Sequence, residues 1–306
     1  MTATNPTIVF FMIVTERDIV IAEFAVRSYA RLKNVPFKLV VYSNWIPFDL
    51  RQSYFPRWRR LPFLEIWEDA SESDTGKPQD RSLEGPFEPG YVIWDRELKK
   101  LSDVPFHAVV DADFEILDPV FVDAMLARLR DDPGLVGISA EYNPPVAAFA
   151  DTYTKRLIEL NERWHTSFCI YKREALACRE SYVYREEPLP GPVARHVWDD
   201  HAYFQQALRR EHRYRFDVVD PRFRRCFIHY AAFSKNRDID EANVALYRRV
   251  QILRQHGLFR RGDPVTRFAG HVLNRLLYDR VDRLTFVPGW AQPSADAKHR
   301  TRTLPG

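Results

Sequence analysis

The sequence predicts an α/β protein built on a mixed, mostly parallel central sheet flanked by helices. Three observations carry that prediction. A strand–helix–strand unit stands near the N-terminus: an apolar run from Thr7 to Val14, an amphipathic stretch from Ile19 to Lys33, and a second apolar run from Phe37 to Ser43. Such a unit implies parallel strands joined by a right-handed crossover. Ala108-Val109-Val110 is a further run without polar alternation, the mark of a strand covered on both faces. Short apolar runs and helical patterns then alternate to about residue 230.

In chain order, Thr15-Glu16-Arg17-Asp18 forms the loop after the first strand. No G-x-G-x-x-G follows that strand, which argues against a dinucleotide fingerprint. Residues 45 to 90 are interrupted by six prolines, and Ser71 to Pro78 reads as an exposed, mobile loop. Tyr91 to Leu101 and Pro119 to Arg130 read as helices, the second with Pro119 near its first turn. Leu135 to Ala140 is a short strand, Pro144-Pro145 a break, and Ala147 to Arg163 a helix. Trp164 to Tyr171 reads as a strand, and Arg173 to Cys178 begins a helix or turn. Trp198-Asp199-Asp200-His201 opens a helix running to about Arg210, its acidic residues suited to the positive end of the dipole. Phe216 to Val219 and Cys226 to Tyr230 are late strands. The chain is helical and basic from about Asn243 and a loose tail from about Ala291.

Composition bounds the function classes. The chain has 306 residues, 45% hydrophobic and 28% charged, ordinary for a globular protein. Cys169, Cys178 and Cys226 have no paired spacing, so neither a disulfide framework nor a zinc-knuckle pattern is expected, which suits a reducing cytoplasm. Thr7 to Val14 lacks a basic leader and is followed at once by Glu16, Arg17 and Asp18, so no signal peptide is expected. Residues 241–306 carry twelve Lys/Arg against five Asp/Glu, a net of +7, and residues 1–240 carry −4. The basic end suits an anionic membrane surface or simply a solvated helical face. No nucleic-acid motif accompanies it.

The chemistry centres on Asp111-Ala112-Asp113, at the carboxyl end of the Ala108–Val110 strand. Ligands of open α/β sheets bind outside such strand ends. Alternate residues of an extended chain point the same way, so both carboxylates can face one point. Two carboxylates that close repel unless a cation joins them, and a hard divalent ion, Mn²⁺ or Mg²⁺, is the expected partner. The plainer alternative is that Asp111 ends a strand and Asp113 starts a turn.

The β-α-β start, the Asp-x-Asp after an apolar strand, an acidic pair at Asp199-Asp200 and a late strand ending in His229 together resemble a GT-A (nucleotide-diphospho-sugar transferase) fold glycosyltransferase. Within that fold, His229-Tyr230-Ala231-Ala232-Phe233-Ser234-Lys235 is similar to the H-x-x-G-x-x-K of the retaining family of glycogenin and the lipooligosaccharide α-galactosyltransferases, with Ala232 in place of the glycine. The resemblance implies Asp111, Asp113 and His229 as metal ligands, with Ala112 beside the substrate. It implies Lys235 on the diphosphate and Arg96 on the donor sugar or phosphate. Thr15, Arg17 and Asp18 would receive the base and ribose, most simply of a uridine-linked donor. Trp164 and His165 would face donor sugar or acceptor. Asp200, with Asp199, would serve the reacting sugar or the acceptor. A carboxylate there can act as general base on the acceptor hydroxyl, as nucleophile, or as stabiliser of an oxocarbenium-like centre. Trp164-His165-Thr166-Ser167-Phe168 departs from the family's F-N-S-G-V, and Asp199-Asp200-His201 from its D-Q-D, so the outcome stays open, with retention favoured over inversion.

The resulting expectation is a metal-dependent hexosyltransferase moving a sugar from a nucleoside-diphosphate sugar to a hydroxyl acceptor such as a glycan, a lipid-linked sugar or a small molecule. Residues 1–236 would form the catalytic domain and 237–306 a basic helical extension and tail. The protein would be cytoplasmic, or peripheral on the inner face of the membrane, with no nucleic-acid partner. The competing readings are an Asp-x-Asp phosphohydrolase, against which Glu115 stands where a Thr or Val is usual, and a non-catalytic nucleotide-sugar-binding module.

Overall fold

Strand β1 (Ile8–Val14) shows why the first apolar run is continuous. Ile8, Phe10, Met12 and Val14 enter one core, while Val9 and Phe11 enter the other. A strand buried on both faces has no solvent side to mark with polar residues. The structure, a computed structural model, describes residues 6–68, 90–101, 103–150, 157–177, 185–187, 195–198, 201–230 and 239–255. The chain divides into two compact units, Met1–Tyr230 and Ala231–Gly306.

In the first unit β1 is followed by α1 (Ile19–Ser28), β2 (Phe37–Ser43), α2 (Phe48–Trp58), β3 (Leu64–Glu68) and α3 (Gly90–Glu97). Next come β4 (Phe106–Asp111), β5 (Phe114–Ile116), α4 (Val120–Asp131) and β6 (Leu135–Ser139). Short strands β7 (Tyr142–Asn143), β8 (Val146–Ala150), β9 (Leu157–Leu160) and β10 (Arg163–Trp164) precede β11 (Phe168–Lys172) and α5 (Arg173–Ala177). The unit closes with β12 (Arg185–Glu187), β13 (Arg195–Trp198), α6 (Ala202–Glu211), β14 (Arg215–Val218) and β15 (Phe227–His229). In the second unit the described helix is α7 (Glu241–Gln255). Among the described residues no helix is long and apolar enough to cross a membrane.

The central sheet has seven strands in the order β14-β6-β11-β4-β1-β2-β3. It is mostly parallel. β1 runs parallel to both β2 and β4, β2 to β3, and β6 to β14. The exception is β11, antiparallel to β4 and β6 on either side. One face is covered by α1, α2 and α4, which supply Ala22, Trp58, Phe121 and Leu126. The other is covered by α3, α5 and α6, which supply Ile93, Trp94, Ala175 and Phe204. Each large apolar side chain buried in this way contributes ~1.5–3 kcal/mol. β6 needs its glycine: a Cβ on Gly137 would lie 2.4 Å from the ring of Phe216, its register partner in β14.

The structure departs from the sequence pattern in four places. The stretch Ala147 to Arg163 shows no helix among its described residues; β8, β9 and the start of β10 stand there. β9 pairs antiparallel with β8 and parallel with β13, completing a four-stranded sheet in the order β12-β13-β9-β8. These ladders supply the backbone bonds that a helix would supply, and the pairing of β9 with β13 is one that the local helix preference of Ala, Leu and Glu does not reveal. The Trp164–Tyr171 run is broken at residues 165–167, and the sheet strand begins at Phe168. Trp198 ends β13 rather than opening a helix; α6 begins at Ala202, after His201 in the left-handed region with φ 58°. α2 and β3 stand inside the proline-broken stretch, with Pro56 within α2.

Candidate functional site

Asp111 is the last residue of β4, and its side chain is 34% exposed. Its neighbour on one side is β1, where it pairs with Ile13; on the other, its N–H donates to the Ser167 carbonyl at 3.0 Å. Ala112 and Asp113 form a turn into β5. The two carboxylates therefore converge through a turn, not through strand alternation. Ala112 is 5% exposed, and the Asp113 side chain is 10% exposed.

β5 pairs antiparallel with β15, setting Phe114 opposite His229. Phe114 is fully buried, stacked on Phe227 with centroids 4.7 Å apart and tilted against Phe168 at 4.8 Å. Such aromatic pairs contribute ~0.5–1.5 kcal/mol each beyond their buried area. The Tyr230 N–H donates to the Asp113 carbonyl at 2.9 Å, and the Tyr230 hydroxyl donates to Glu115 at 2.8 Å. The apolar ribbon thus fixes the turn and the histidine in one rigid piece.

His229 is the hub. Its Nε2 lies 3.5 Å from Asp113 Oδ1 and 4.0 Å from Asp111 Oδ2. Its Nδ1 lies 2.7 Å from Glu141 Oε2. Burial opposes a charge on this ring, but the Asp113 and Glu141 carboxylates, by charge and by hydrogen bond, hold its pKa well above the ordinary imidazole value. Burial pushes Glu141 up, yet His229, by charge and hydrogen bond, pulls it down to about 2, with His165 and Ser167 adding to the pull.

Glu141 follows β6 and is held from several sides. Its Oε2 accepts the Ser167 hydroxyl at 3.0 Å, its N–H donates to Ser139 Oγ at 3.2 Å, and its carbonyl accepts the His165 N–H at 2.9 Å. His165 Nδ1 accepts the Ser167 N–H at 3.0 Å, so the His165 proton sits on Nε2. Burial first, then the Arg163 charge, pushes His165 down to about 3 and keeps it neutral. Its ring centroid is 5.4 Å from that of His229.

Among the described residues two groups bring three ligand atoms within 4.8 Å of one another: Asp111, Asp113 and His229, and Glu141, His165 and His229. The first offers two carboxylate oxygens and one imidazole nitrogen, a donor set that suits Mn²⁺ and is also acceptable to Mg²⁺. The oxygens carry negative charge and face the one ring nitrogen that a cation can use. The residues fit the ion.

The β1–α1 loop lies beside this group. Thr15 Oγ1 donates to Asp18 Oδ2 at 2.6 Å. Burial pushes the Asp18 carboxyl up to about 6, with the Thr15 hydrogen bond opposing and the nearby Asp113 charge adding. Arg17 is exposed. Arg96 projects from α3 to the carboxyl end of β2, where Nη2 donates to the Tyr42 hydroxyl at 2.8 Å and Nε pairs with Glu97 at 2.7 Å. Trp164 is 8% exposed and is tied by Gln205 at both backbone groups, with its ring 5.2 Å from Phe216. It belongs to the second core; His165, the next residue, turns to the acid group. Asp199, Asp200 and Lys235 lie outside the described residues, as does the stretch Ser71 to Pro78 that the sequence reads as a loop.

Sequence reasoning missed Glu141, Ser139 and Ser167. For Glu141 a signal existed: like Asp111, it follows an apolar run, Leu135 to Ala140, at a strand's carboxyl end.

No known family's sequence profile matches the chain, and no curated protein is similar to it in sequence. Solved structures are similar to it at a distance. A mannosyltransferase from Pyrobaculum calidifontis, in complex with GDP-Man and Mn²⁺, is 12% identical over 90% of this chain and 82% of its own, with a TM-score of 0.38. S. aureus TarS 1-349 is 17% identical over 84% and 73%, with a TM-score of 0.39. Glucosyl-3-phosphoglycerate synthase from Mycobacterium tuberculosis, in complex with Mn²⁺, UDP and glucosyl-3-phosphoglycerate, is 10% identical over 80% of each chain, with a TM-score of 0.39. At likenesses of this depth, the functional reading rests on the site itself.

Proposed function

We propose that the protein is a metal-dependent GT-A glycosyltransferase that moves a sugar from a nucleoside-diphosphate sugar, uridine-linked by preference, to a hydroxyl acceptor with retention of configuration. The observation that carries this reading is the convergence of Asp111, Asp113 and His229 Nε2 at the carboxyl end of β4 in a mostly parallel sheet. Asp111, Asp113 and His229 would hold Mn²⁺ or Mg²⁺, which when bound neutralises charge on the departing diphosphate.

The chain's own groups do the remaining work. Thr15, Arg17 and Asp18, on the loop beside the acid pair, receive base and ribose. Arg96 and Lys235 add positive charge on the diphosphate side. Neutral His165 offers its Nε2–H to the donor sugar or the acceptor. Asp200, with Asp199, serves the reacting sugar carbon or the acceptor hydroxyl; these two and Lys235 rest on the sequence resemblance. The basic stretch 237–306 forms a separate extension that meets an anionic membrane surface carrying the acceptor.

The test is to mix the full chain with a panel of nucleotide-sugars in Mn²⁺ and then in EDTA, following release of free nucleotide. The reading predicts release from one donor and its loss with EDTA. Silence across the panel, together with no thermal shift from any nucleoside diphosphate plus Mn²⁺, would overturn it.

A further inference from the structure

We infer that Glu141 is a positioning residue for the metal centre: it takes the Nδ1–H of His229 and so leaves Nε2 as the nitrogen that a cation between Asp111 and Asp113 can claim. The inference rests on the metal reading above and goes beyond it by assigning a residue that neither the Asp-x-Asp nor the late-histidine pattern contains.

The geometry is specific. An imidazole serves a metal through one nitrogen only if the other keeps its proton and that proton has an acceptor. In His229 the two nitrogens face different partners: Nε2 faces the Asp113 and Asp111 carboxylates, and Nδ1 meets Glu141 Oε2 at 2.7 Å. Glu141 is itself anchored. Ser167 Oγ donates to the same Oε2, and the backbone on either side is tied through Ser139 Oγ and the His165 N–H. Glu141 lies 88 residues from His229 in sequence and reaches it from the β6 end of the sheet, whereas the histidine rides on β15. The ring is therefore clamped between two independent parts of the fold, and its orientation does not depend on the metal.

A second cation at Glu141, His165 and His229 is the competing use of the same atoms. The hydrogen bonds disfavour it. His165 Nδ1 is occupied by the Ser167 N–H, and Glu141 Oε2 already accepts from Ser167 and His229. Using His229 Nδ1 as a second ligand would also strip the proton that makes Nε2 the ligating nitrogen.

The experiment is a Mn²⁺ titration of the full chain, with free Mn²⁺ read by electron paramagnetic resonance and no substrate present. Wild type should bind one ion. Glu141→Ala should weaken binding ~10–100-fold, the range for loss of an outer-shell partner. Glu141→Gln keeps an acceptor oxygen for Nδ1–H while removing the charge, so it should remain within a few-fold of wild type. In a His229→Ala background, Glu141→Ala should add nothing. Wild type that binds one ion while Glu141→Ala binds it equally well would overturn this inference and leave the proposed function standing. Equal losses in the Ala and Gln variants would also overturn it, since the effect would then be charge alone. Two ions in wild type would favour the second cation. No Mn²⁺ bound by wild type would overturn this inference and the metal reading together.

Discussion

His107 and His229 are both imidazoles withdrawn from solvent, His107 near the start of the β4 strand that ends at Asp111 and His229 at the end of β15 beside the acid pair. His107 is fully buried and stacked on Tyr171, with centroids 5.5 Å apart and planes 10° from parallel. Neither of its ring nitrogens has a hydrogen-bond partner among the described residues, and burial pushes it down to about 3. Burial also opposes charge on His229, whose side chain is 13% exposed, but carboxylates on both nitrogens reverse the direction. Burial is common to the two rings; partners decide which one carries charge, and so which one can act. His201 repeats the first pattern, with burial pushing it well below the ordinary value while its Nδ1 shares a hydrogen bond with the Tyr171 hydroxyl at 2.9 Å.

The contrast predicts different outcomes at each position. Asp113→Asn should reduce Mn²⁺-dependent nucleotide release by more than the ~100-fold typical of an outer-shell loss, whereas His107→Leu should leave release unchanged; equal losses in the two variants would erase the distinction. The pH dependences should run in opposite senses. Mn²⁺ must displace the His229 Nε2 proton, so affinity should rise by up to ~tenfold per pH unit from neutrality to the raised pKa and then level off. Without metal, the stability from charged His229 is fully present below pH 6.5 and is lost as pH rises through the raised value. His107 acts the other way. Between pH 6.5 and about 3 the unfolded chain takes up a proton that the folded ring refuses, so stability falls with acidification. Urea titrations of wild type and His107→Leu across that window should show a flatter acid limb in the variant.

Two smaller effects sharpen the same division between core and site. Gly137→Ala drives a Cβ into Phe216 and should cost ~1–3 kcal/mol of stability with Mn²⁺ affinity intact. An affinity loss there would show that the β6–β14 contact also shapes the site. His107→Leu removes buried polar atoms with no hydrogen-bond partner among the described residues and should raise stability by ~1 kcal/mol at neutral pH. A clear destabilisation would mean that its stacking on Tyr171 outweighs those atoms.

What could be read in the sequence was local. The β1–α1–β2 unit and the run into Asp111 declare themselves because each is written within a few tens of residues. β9 did not, because its pairing with β13 lies far along the chain while its composition is helix-compatible. Within the site, Asp111 and Asp113 were legible as a pair, although a turn, not strand alternation, brings them together. Glu141 carried the same apolar-run-then-carboxylate signal but had no second acid at the alternate position to draw attention. Trp164 and His165 are adjacent in sequence and separate in space, one packed in the core and one turned to the acid group; no pattern of one strand distinguishes them without the Gln205 that ties the first.

The most direct measurement is anomalous diffraction at the manganese edge from crystals of the full chain grown with Mn²⁺ and UDP. The account predicts one peak within bonding distance of Asp111, Asp113 and His229 Nε2. A peak at other residues, or none with nucleotide bound, would contradict it.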